Sequence, residues 1–296
     1  MIVKSLLARS DLVETYGFLY VSSLSKPLNI VGLSARGKYG MVSSAPNDLS
    51  IFRSYAQSGV WAADLNERLR KFFEGGIGTY LDIGANIGLT VIPIARQCAG
   101  VRCFAFEPEP TNYKNLVRNI RENDVVEVVR THQYALHEVK AVLPFQISDD
   151  NLGDHRLHAS HDLQDKSGER SRLVIEVPCV RLDDIEVPDA RPMFVKIDTQ
   201  GAEPFVIAGG SATLAKADAI FVEWSPYHMA RLKSDPNVVL NFLSAEFRRG
   251  ELSQADESVA LKCEVAPIAE IVDTLRATIS AWRDDPSSYL DIVAYK

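Results

Sequence analysis

Residues 80–90 read Tyr-Leu-Asp-Ile-Gly-Ala-Asn-Ile-Gly-Leu-Thr, and this stretch decides the fold. The apolar run at 80–83 predicts a strand, the small residues after it predict a turn, and the apolar stretch that follows predicts a helix. Gly84 and Gly88 would let the backbone approach a ligand closely, and Asn86 tolerates the positive φ that such a turn needs. The segment therefore predicts the strand, turn and helix of a ligand-binding α/β unit.

The elements around this segment alternate between strand-like and helix-like patterns. Apolar runs predict strands at 101–106, 125–129, 194–197, 220–222 and 289–295, and helical periodicity marks 62–73, 89–97 and 112–122. This alternation is typical of a parallel sheet covered by helices. Two further strands, at 142–147 and 173–180, predict an insertion at about 141–184 that lies over the carboxyl edge of the sheet, where open α/β sheets bind ligands.

Two carboxylates lie at the ends of strands in this unit. Asp82 precedes the first glycine, and Glu107 closes the apolar run at 101–106. Asp82 suits a ligand that carries an ammonium group, whereas a pyrophosphate binds the bare N–H groups of a helix N-terminus. Glu107 is placed to accept hydrogen bonds from ribose hydroxyls. Together they favour an aminoacyl nucleoside such as S-adenosylmethionine over NAD.

Composition sets the outer limits. The 296 residues are 46% hydrophobic and 24% charged, as in ordinary globular proteins. A formal net charge of −7 argues against a nucleic-acid partner. The most apolar window is too polar for a membrane span, and the charged N-terminal residues do not resemble a signal peptide. The four cysteines, Cys98, Cys103, Cys179 and Cys263, lack metal-site or disulfide spacing, so we expect a cytoplasmic protein with reduced thiols.

Several separated motifs resemble the FkbM-type methyltransferases. They are DIGANIG at 82–88, FEPEP at 106–110 followed by Asn119, NLGDHRL at 151–157, RLDDI at 181–185, KIDTQGAEP at 196–204 and DIVA at 291–294. The resemblance covers residues 58–296 and leaves 1–57 as an N-terminal extension of unknown role. It implies a class I methyltransferase fold: a doubly wound, Rossmann-like α/β domain with a mostly parallel seven-stranded sheet, an antiparallel C-terminal strand and a β-hairpin insertion.

The resemblance also implies a reaction and its residues. S-adenosylmethionine would donate a methyl group, commonly to a hydroxyl of a sugar, glycan or secondary metabolite. By position, the methionine end of the cofactor would be surrounded by Asp82, Gly84, Ala85, Asn86 and Gly88. Glu107 would bind the ribose, and the backbone of Ala135 would lie near the adenine. Thr90 would place its hydroxyl at the cofactor carboxylate or would simply start a helix.

Three residues near the ends of the fourth and fifth strands are candidates for the proton acceptor. An alcohol must lose its proton to a positioned base as the methyl group is transferred. Asp198 follows the strand at 194–197, Glu223 follows the strand at 220–222, and His228 lies five residues further on. Glu223 has the alternative role of an ion pair or helix cap, and the sequence leaves open which of the three is the base. Many FkbM-type proteins carry a glutamate where this chain has Gln200, which removes a charge from that position.

The polar loop of the insertion carries His155, His158 and His161, spaced by three. This spacing would allow a shared helical face, but the loop composition predicts mobility and no partner for the rings can be named, so we expect no metal site. Asp154, His155 and Arg156 are candidates for binding the hydroxyls of the acceptor. A local ion pair between Asp154 and Arg156 is the alternative.

Two other functions are compatible with parts of this pattern. An NAD-dependent oxidoreductase would need a G-x-G-x-x-G motif after the first strand, which this sequence lacks. A non-catalytic protein that binds an adenosyl ligand on the same fold would not need carboxylates at 198 and 223. The acceptor cannot be identified from these motifs, because the loops rather than the fold select it.

Overall fold

The computed structural model describes residues 10–158, 172–252 and 264–296. The strands are β1 (Leu33–Gly37), β2 (Gly40–Ser44), β3 (Ile77–Ile83), β4 (Gly100–Phe106), β5 (Val129–His132), β6 (Ala135–Leu136), β7 (Ala141–Ile147), β8 (Arg156–Leu157), β9 (Leu173–Val180), β10 (Met193–Ile197), β11 (Ala219–Trp224), β12 (Arg249–Leu252), β13 (Ala266–Pro267) and β14 (Leu290–Tyr295). The helices are α1 (Ser10–Ser25), α2 (Ile51–Ser58), α3 (Ala63–Phe72), α4 (Val91–Gln97), α5 (Pro110–Glu122), α6 (Glu203–Leu214), α7 (Pro226–Arg231), α8 (Asn237–Glu246) and α9 (Ile268–Trp282).

The described strands build a central eight-stranded sheet in the order β13–β12–β14–β11–β10–β3–β4–β5. Strands β5, β4, β3, β10 and β11 are parallel, and β14 runs antiparallel between β11 and β12. The chain winds from β3 towards β5, returns to β10 and then winds the other way. The doubly wound fold with an antiparallel C-terminal strand is therefore confirmed, and β13 is a two-residue addition at one edge.

Apolar side chains cover both faces of this sheet. Side chains alternate between the faces along each strand. One face carries Leu81, Val195 and Ile220 and packs against α6, α8 and α9. The other carries Tyr80, Phe194 and Phe221 and packs against α3, α4 and α5. The same alternation places Asp82, Lys196 and Glu223 on this second face, at the carboxyl ends of β3, β10 and β11.

The N-terminal extension packs onto the domain through its described part. The backbone N–H of Ser43 donates to Asn119 Oδ1 at 2.7 Å. Asn119 Nδ2 in turn donates to the carbonyl oxygens of Ser43 at 3.0 Å and Ile87 at 2.9 Å. Phe52 of α2 lies in one apolar cluster with Leu89. The extension is thus tied to the loop between β3 and α4.

The insertion forms a second sheet, in the order β6–β9–β7–β8. Its two long strands, β7 and β9, pair antiparallel from Ala141 opposite Cys179 to Ile147 opposite Leu173, which confirms the strands expected at 142–147 and 173–180. The apolar face of this sheet packs against Ala202, beside the start of α6. His161 falls in the segment 159–171, outside the described residues.

One strand expectation is wrong. The apolar run at 125–129 forms a turn, and β5 begins only at Val129. Val125 is 5% exposed and packs in the core below the sheet, so its apolar character reflects burial of a turn and not a strand. Among the described residues, no helix combines the length and apolar character that crossing a membrane requires. Cys98, Cys103 and Cys179 are free and buried, and Cys263 lies outside the described residues.

Candidate cofactor and active site

The loop between β3 and α4 has left-handed backbone at three positions: φ is 83° at Gly84, 49° at Asn86 and 94° at Gly88. A Cβ atom at Gly84 would lie 1.9 Å from the carbonyl oxygen of Asp198, and one at Gly88 would lie 2.8 Å from a side-chain atom of Leu116. Both glycines therefore let the loop pack against the end of β10 and against α5. Gly84 also lines both cavities described below, so the predicted close approach of the loop to a ligand stays a prediction.

In the part of the chain that the structure describes, two cavities meet at this loop. They share Ile51, Gly84, Asn86 and Asp198. The narrow cavity has a volume of about 80 Å³, and its walls include Phe106, Glu107, Tyr134, Ala135, Leu136 and His155. The wide cavity has a volume of about 550 Å³, and its walls include Trp61, Asp64, Thr90, Lys196, Glu223 and Tyr289. Both lie at the carboxyl edge of the sheet, where this class of fold binds ligands.

Glu107 lies where β4 ends, in the wall of the narrow cavity. Its two carboxylate oxygens accept hydrogen bonds from the backbone N–H groups of Asn86 and Glu109, each at 2.9 Å. Burial raises the pKa of Glu107 to about 8, although these two N–H donors act in the opposite direction. Each oxygen keeps a lone pair for one more donor. This geometry fits the predicted ribose contact.

The motif at 151–157 closes the narrow cavity. The carbonyl oxygen of Leu152 accepts from Asn86 Nδ2 at 2.7 Å and from Asn112 Nδ2 at 2.8 Å. His155 Nδ1 accepts from the backbone N–H of Ser148 at 3.0 Å, and burial lowers the pKa of His155 to about 4. These contacts hold the motif in the cavity wall, with the His155 ring uncharged at neutral pH.

Asp82 and Lys196 face each other on neighbouring strands. Lys196 Nζ lies 3.3 Å from Asp82 Oδ1 and 3.4 Å from Asp198 Oδ2, and it donates to the carbonyl oxygen of Gly84 at 3.0 Å. The Thr90 hydroxyl donates to the other oxygen of Asp82. Asp82 is 0% exposed and is not among the described residues that line either cavity. The structure thus places the Asp82 carboxylate against Lys196 and not in a ligand cavity.

Lys196 stays charged in this buried position. Burial by itself lowers the pKa of Lys196, but the carboxylates of Asp198 and Asp82 outweigh that effect and raise it above its ordinary value. A permanent ammonium group is not a proton acceptor, so Lys196 acts by fixing the two carboxylates and the loop.

Gln200 connects two of the predicted catalytic carboxylates. Its Nε2 donates to Asp198 Oδ1 at 3.0 Å and to Glu223 Oε1 at 2.8 Å. Burial, and then the charge of Asp198, raises the pKa of Glu223 well above its ordinary value. Asp198 lines both cavities and Glu223 lines the wide one. The structure therefore brings these two predicted residues together.

The third catalytic candidate lies elsewhere. His228 belongs to α7 and is not among the described residues that line the two cavities. Burial, followed by the charges of Arg156 and Arg231, lowers the pKa of His228 to about 3. A ring with so low a pKa is a weak base at neutral pH, and it is not placed to reach a ligand in either cavity. Among the three candidates that the sequence left open, the geometry therefore favours the two carboxylates over His228.

Of the three residues predicted to bind the acceptor, His155 lines the narrow cavity. Asp154 and Arg156 are not among the described residues that line either cavity. Arg156 is 1% exposed, and its guanidinium group donates to Asp154 at 3.1 Å. Arg172 donates to the same carboxylate. The structure thus shows the local ion pair that was the alternative for Asp154 and Arg156. Across the described ranges, no group of three or more His, Cys, Asp or Glu residues is arranged to hold a metal ion.

Two contributions to the site were not assigned from the sequence. Lys196 interrupts an apolar run, and a charged side chain inside a buried strand must find partners, so this signal was available. Ile51 lines both cavities although it lies outside the motif-bearing region. No local pattern identifies Ile51, because its place depends on how the extension packs.

Comparison with known proteins gives matches to methyltransferases. The profile of the Methyltransferase FkbM domain matches residues 82–251. The chain is 28% identical over 152 residues to Methyltransferase sdnD of Sordaria araneosa, a match that covers 44% of this chain and 59% of that protein. It is 26% identical over 233 residues to the 2-O-methyltransferase NoeI of Sinorhizobium fredii, covering 72% of this chain and 92% of NoeI. The match therefore spans less than two thirds of sdnD but most of NoeI.

Similar solved structures include an O-methyltransferase from Bacillus cereus in complex with SAH, at 13% identity and a TM-score of 0.41, covering 80% of this chain and 82% of that one. They also include M. jannaschii TYW2 in complex with AdoMet, at 11% identity and a TM-score of 0.41, covering 89% of this chain and 85% of that one.

Proposed function

This chain belongs to the FkbM methyltransferase family, and on that premise we propose that it is an O-methyltransferase in which Asp198 accepts the proton. The methyl donor of the family is S-adenosylmethionine. The acceptor in this proposal is a hydroxyl group of a sugar, glycan or secondary metabolite. The observation that carries the proposal is the position of Asp198 in the wall that the two cavities share.

The walls of the narrow cavity carry the polar and apolar groups that an adenosine would contact, and this cavity of about 80 Å³ would have to widen to admit the whole nucleoside. Glu107 offers two fixed carboxylate oxygens to ribose hydroxyls, and Phe106, Tyr134 and Leu136 offer apolar surface to a base. Gly84 and Asn86 lie at the junction with the wide cavity. A ligand with its adenosine in the narrow cavity would reach the wide cavity at this junction, where carboxylates suit a cationic group. S-adenosylmethionine, an adenosine joined to a charged amino acid, matches this order.

In this proposal the Asp198 carboxylate accepts the proton that the acceptor hydroxyl loses. Bound S-adenosylmethionine supplies a methyl group on a sulfonium sulfur, which keeps the electron pair of the broken C–S bond. A hydroxyl group in the wide cavity would meet Asp198 beside the junction, and its proton would pass to that carboxylate as the oxygen forms its bond to the methyl carbon. Lys196, 3.4 Å away, and Gln200, 3.0 Å away, each hold one oxygen of Asp198, so the carboxylate is oriented in advance.

The walls of the wide cavity favour a hydroxylated acceptor. The carboxyl groups of Asp64, Asp198 and Glu223 offer oxygens that accept hydrogen bonds from hydroxyl groups, and Trp61 and Tyr289 add aromatic surface. The excess of acidic groups disfavours anionic acceptors. NoeI, which matches over most of its length, is named a 2-O-methyltransferase, and this supports an oxygen acceptor.

A labelled-methyl screen tests the proposal. S-adenosylmethionine carrying a labelled methyl group is offered with glycan, lipid-linked sugar and polyketide acceptors, and with RNA for comparison. We expect label in a hydroxylated small molecule or glycan and none in RNA. Calorimetric titration with S-adenosylmethionine and with NAD is run in parallel, and we expect binding of the first alone. Binding without transfer to any acceptor class would favour the non-catalytic alternative, and binding of NAD would overturn the proposal.

A further inference from the structure

The turn after β10 holds Gln200 in an uncommon backbone conformation. Its φ is 56°, in the left-handed region that glutamine seldom adopts. The side chain of Glu203 fixes this turn by accepting hydrogen bonds from the backbone N–H groups of Thr199 at 2.8 Å and Gly201 at 3.0 Å. Strained conformations persist where surrounding contacts determine them, and they cluster at functional sites. The turn therefore directs the Gln200 side chain at a defined target.

That target is a pair of carboxylates on neighbouring strands. Both hydrogens of Gln200 Nε2 are used, because one carboxylate oxygen lies 3.0 Å away on Asp198 and another lies 2.8 Å away on Glu223. The opposite orientation of the amide would put its carbonyl oxygen against both carboxyl groups, so the donor orientation is the one that satisfies the network. Lys196 approaches the second oxygen of Asp198. Each oxygen of Asp198 thus has its own partner.

The ionisable groups around this bridge are mostly acidic, and burial raises the pKa of Glu203 to about 7 and that of Glu223 well above its ordinary value. The groups that face it from the packed elements are Asp82 of β3, Lys196 and Asp198 at β10, Glu203 of α6, Glu223 of β11 and Asp291 of β14. Lys196 carries the positive charge among them. A neutral amide at position 200 holds two carboxyl groups together without adding charge, whereas a carboxylate there would repel the Asp198 carboxylate and lose both donors.

We propose that Gln200 is a positioning residue for methyl transfer: its amide ties Asp198 to Glu223 and so fixes the carboxylate that takes the proton. The inference rests on the proposed function, because Asp198 is the proton acceptor in that account. Gln200 acts through Asp198, so its loss lowers the rate of the chemical step more than it weakens the binding of either ligand.

Two substitutions of similar size separate positioning from a structural role. Gln200→Met removes the donors, and we expect it to lower kcat about tenfold or more while KM for S-adenosylmethionine changes less than about threefold. Gln200→Glu keeps the shape but adds an ionisable group. We expect its kcat to fall progressively from about pH 5 to about pH 8, as the introduced carboxyl loses its proton beside Asp198 and Glu223. Gln97→Glu, at an exposed helix end, adds the same charge and should keep the wild-type profile.

Wild-type kcat in Gln200→Met would overturn the proposal, and so would an unchanged pH profile in Gln200→Glu. If Asp198→Asn turns over at the wild-type rate, the assignment of Asp198 as the proton acceptor is wrong. The bridge from Gln200 to the two carboxyl groups is then tested by a measurement that does not depend on activity. For that purpose the side-chain amide protons of Gln200 are followed by NMR in the protein without acceptor, with Gln200→Met providing the assignment.

We expect both amide protons to exchange slowly, one losing protection in Asp198→Ala and the other in Glu223→Ala, because alanine offers no side-chain acceptor. Fast exchange of both protons in the wild-type protein would show that no bridge exists and would overturn the inference whatever the activity. Slow exchange together with a fully active Asp198→Asn variant would leave the bridge standing and refute the assignment of Asp198 as the base.

Discussion

The ammonium nitrogen of Lys196 lies 3.3 Å from a carboxylate oxygen of Asp82, and the two side chains are 6% and 0% exposed. Removing one partner of such a buried pair leaves the other charge uncompensated in a poorly solvated place. Since Lys196 also contacts Asp198 and the carbonyl oxygen of Gly84, this pair links the cofactor loop to the proposed proton acceptor.

Lys196→Met should lower the free energy of unfolding by about 3–5 kcal/mol, because it strands the Asp82 carboxylate. The double variant Asp82→Asn with Lys196→Met should recover a large part of that loss. Urea unfolding of the two variants and of Asp82→Asn alone gives the three differences. A Lys196→Met protein as stable as the wild type would show that the pair contributes nothing to the fold.

Glu107 should couple cofactor binding to pH. Burial raises the pKa of Glu107 to about 8 in the free protein, and hydrogen bonds from ribose hydroxyls would favour its ionised form. Binding of S-adenosylmethionine should therefore release a proton, and the affinity should rise from about pH 6 to about pH 8. Calorimetry in buffers of different ionisation enthalpy measures this release. Glu107→Gln should bind without it.

Glu107→Ala should weaken cofactor binding by about 1–3 kcal/mol through the loss of charge-assisted hydrogen bonds. The same change leaves the N–H groups of Asn86 and Glu109 without their carboxylate partner, so thermal unfolding is measured beside the calorimetry. An unchanged affinity in a folded variant would place the ribose elsewhere.

Gly84 should contribute to the stability of the fold even when no ligand is bound. Gly84→Ala places a Cβ 1.9 Å from the carbonyl oxygen of Asp198 at a φ of 83°, and we expect a loss of about 3 kcal/mol or more in the free energy of unfolding. Gly84→Val, with a branched side chain, should cost more. Gly75→Ala is the matched control, because a Cβ there would meet no described heavy atom within 4 Å. It should stay within about 0.5 kcal/mol of the wild type, and an equally stable Gly84→Ala protein would contradict the packing seen here.

The parts of this molecule that the sequence predicts are those that depend on local pattern. Alternating apolar runs and amphipathic stretches identify the parallel sheet, and the strand-ending positions of Glu107 and Asp198 follow from where those runs stop. The strand predicted at 125–129 is wrong, because an apolar turn that packs into the core has the same composition as a short strand.

The remaining parts of the site depend on contacts between distant segments. Ile51 reaches both cavities through the packing of the extension, and the bridge from Gln200 to Glu223 requires the register of two strands and one left-handed residue. Asp82 belongs to the motif at 82–88, and its carboxylate lies against Lys196, which is directly opposite on the neighbouring strand. Residue types alone do not specify these pairings.

The measurement that tests the account most directly is the rate of methyl transfer by Asp198→Asn and His228→Ala, with an acceptor from the labelled-methyl screen. Asp198→Asn should lower kcat about a hundredfold or more while the calorimetric affinity for S-adenosylmethionine stays within about tenfold. His228→Ala should keep kcat within about threefold, because its ring lies outside the described cavity walls. Wild-type turnover by Asp198→Asn, or a hundredfold loss confined to His228→Ala, would contradict the assignment of Asp198 as the proton acceptor.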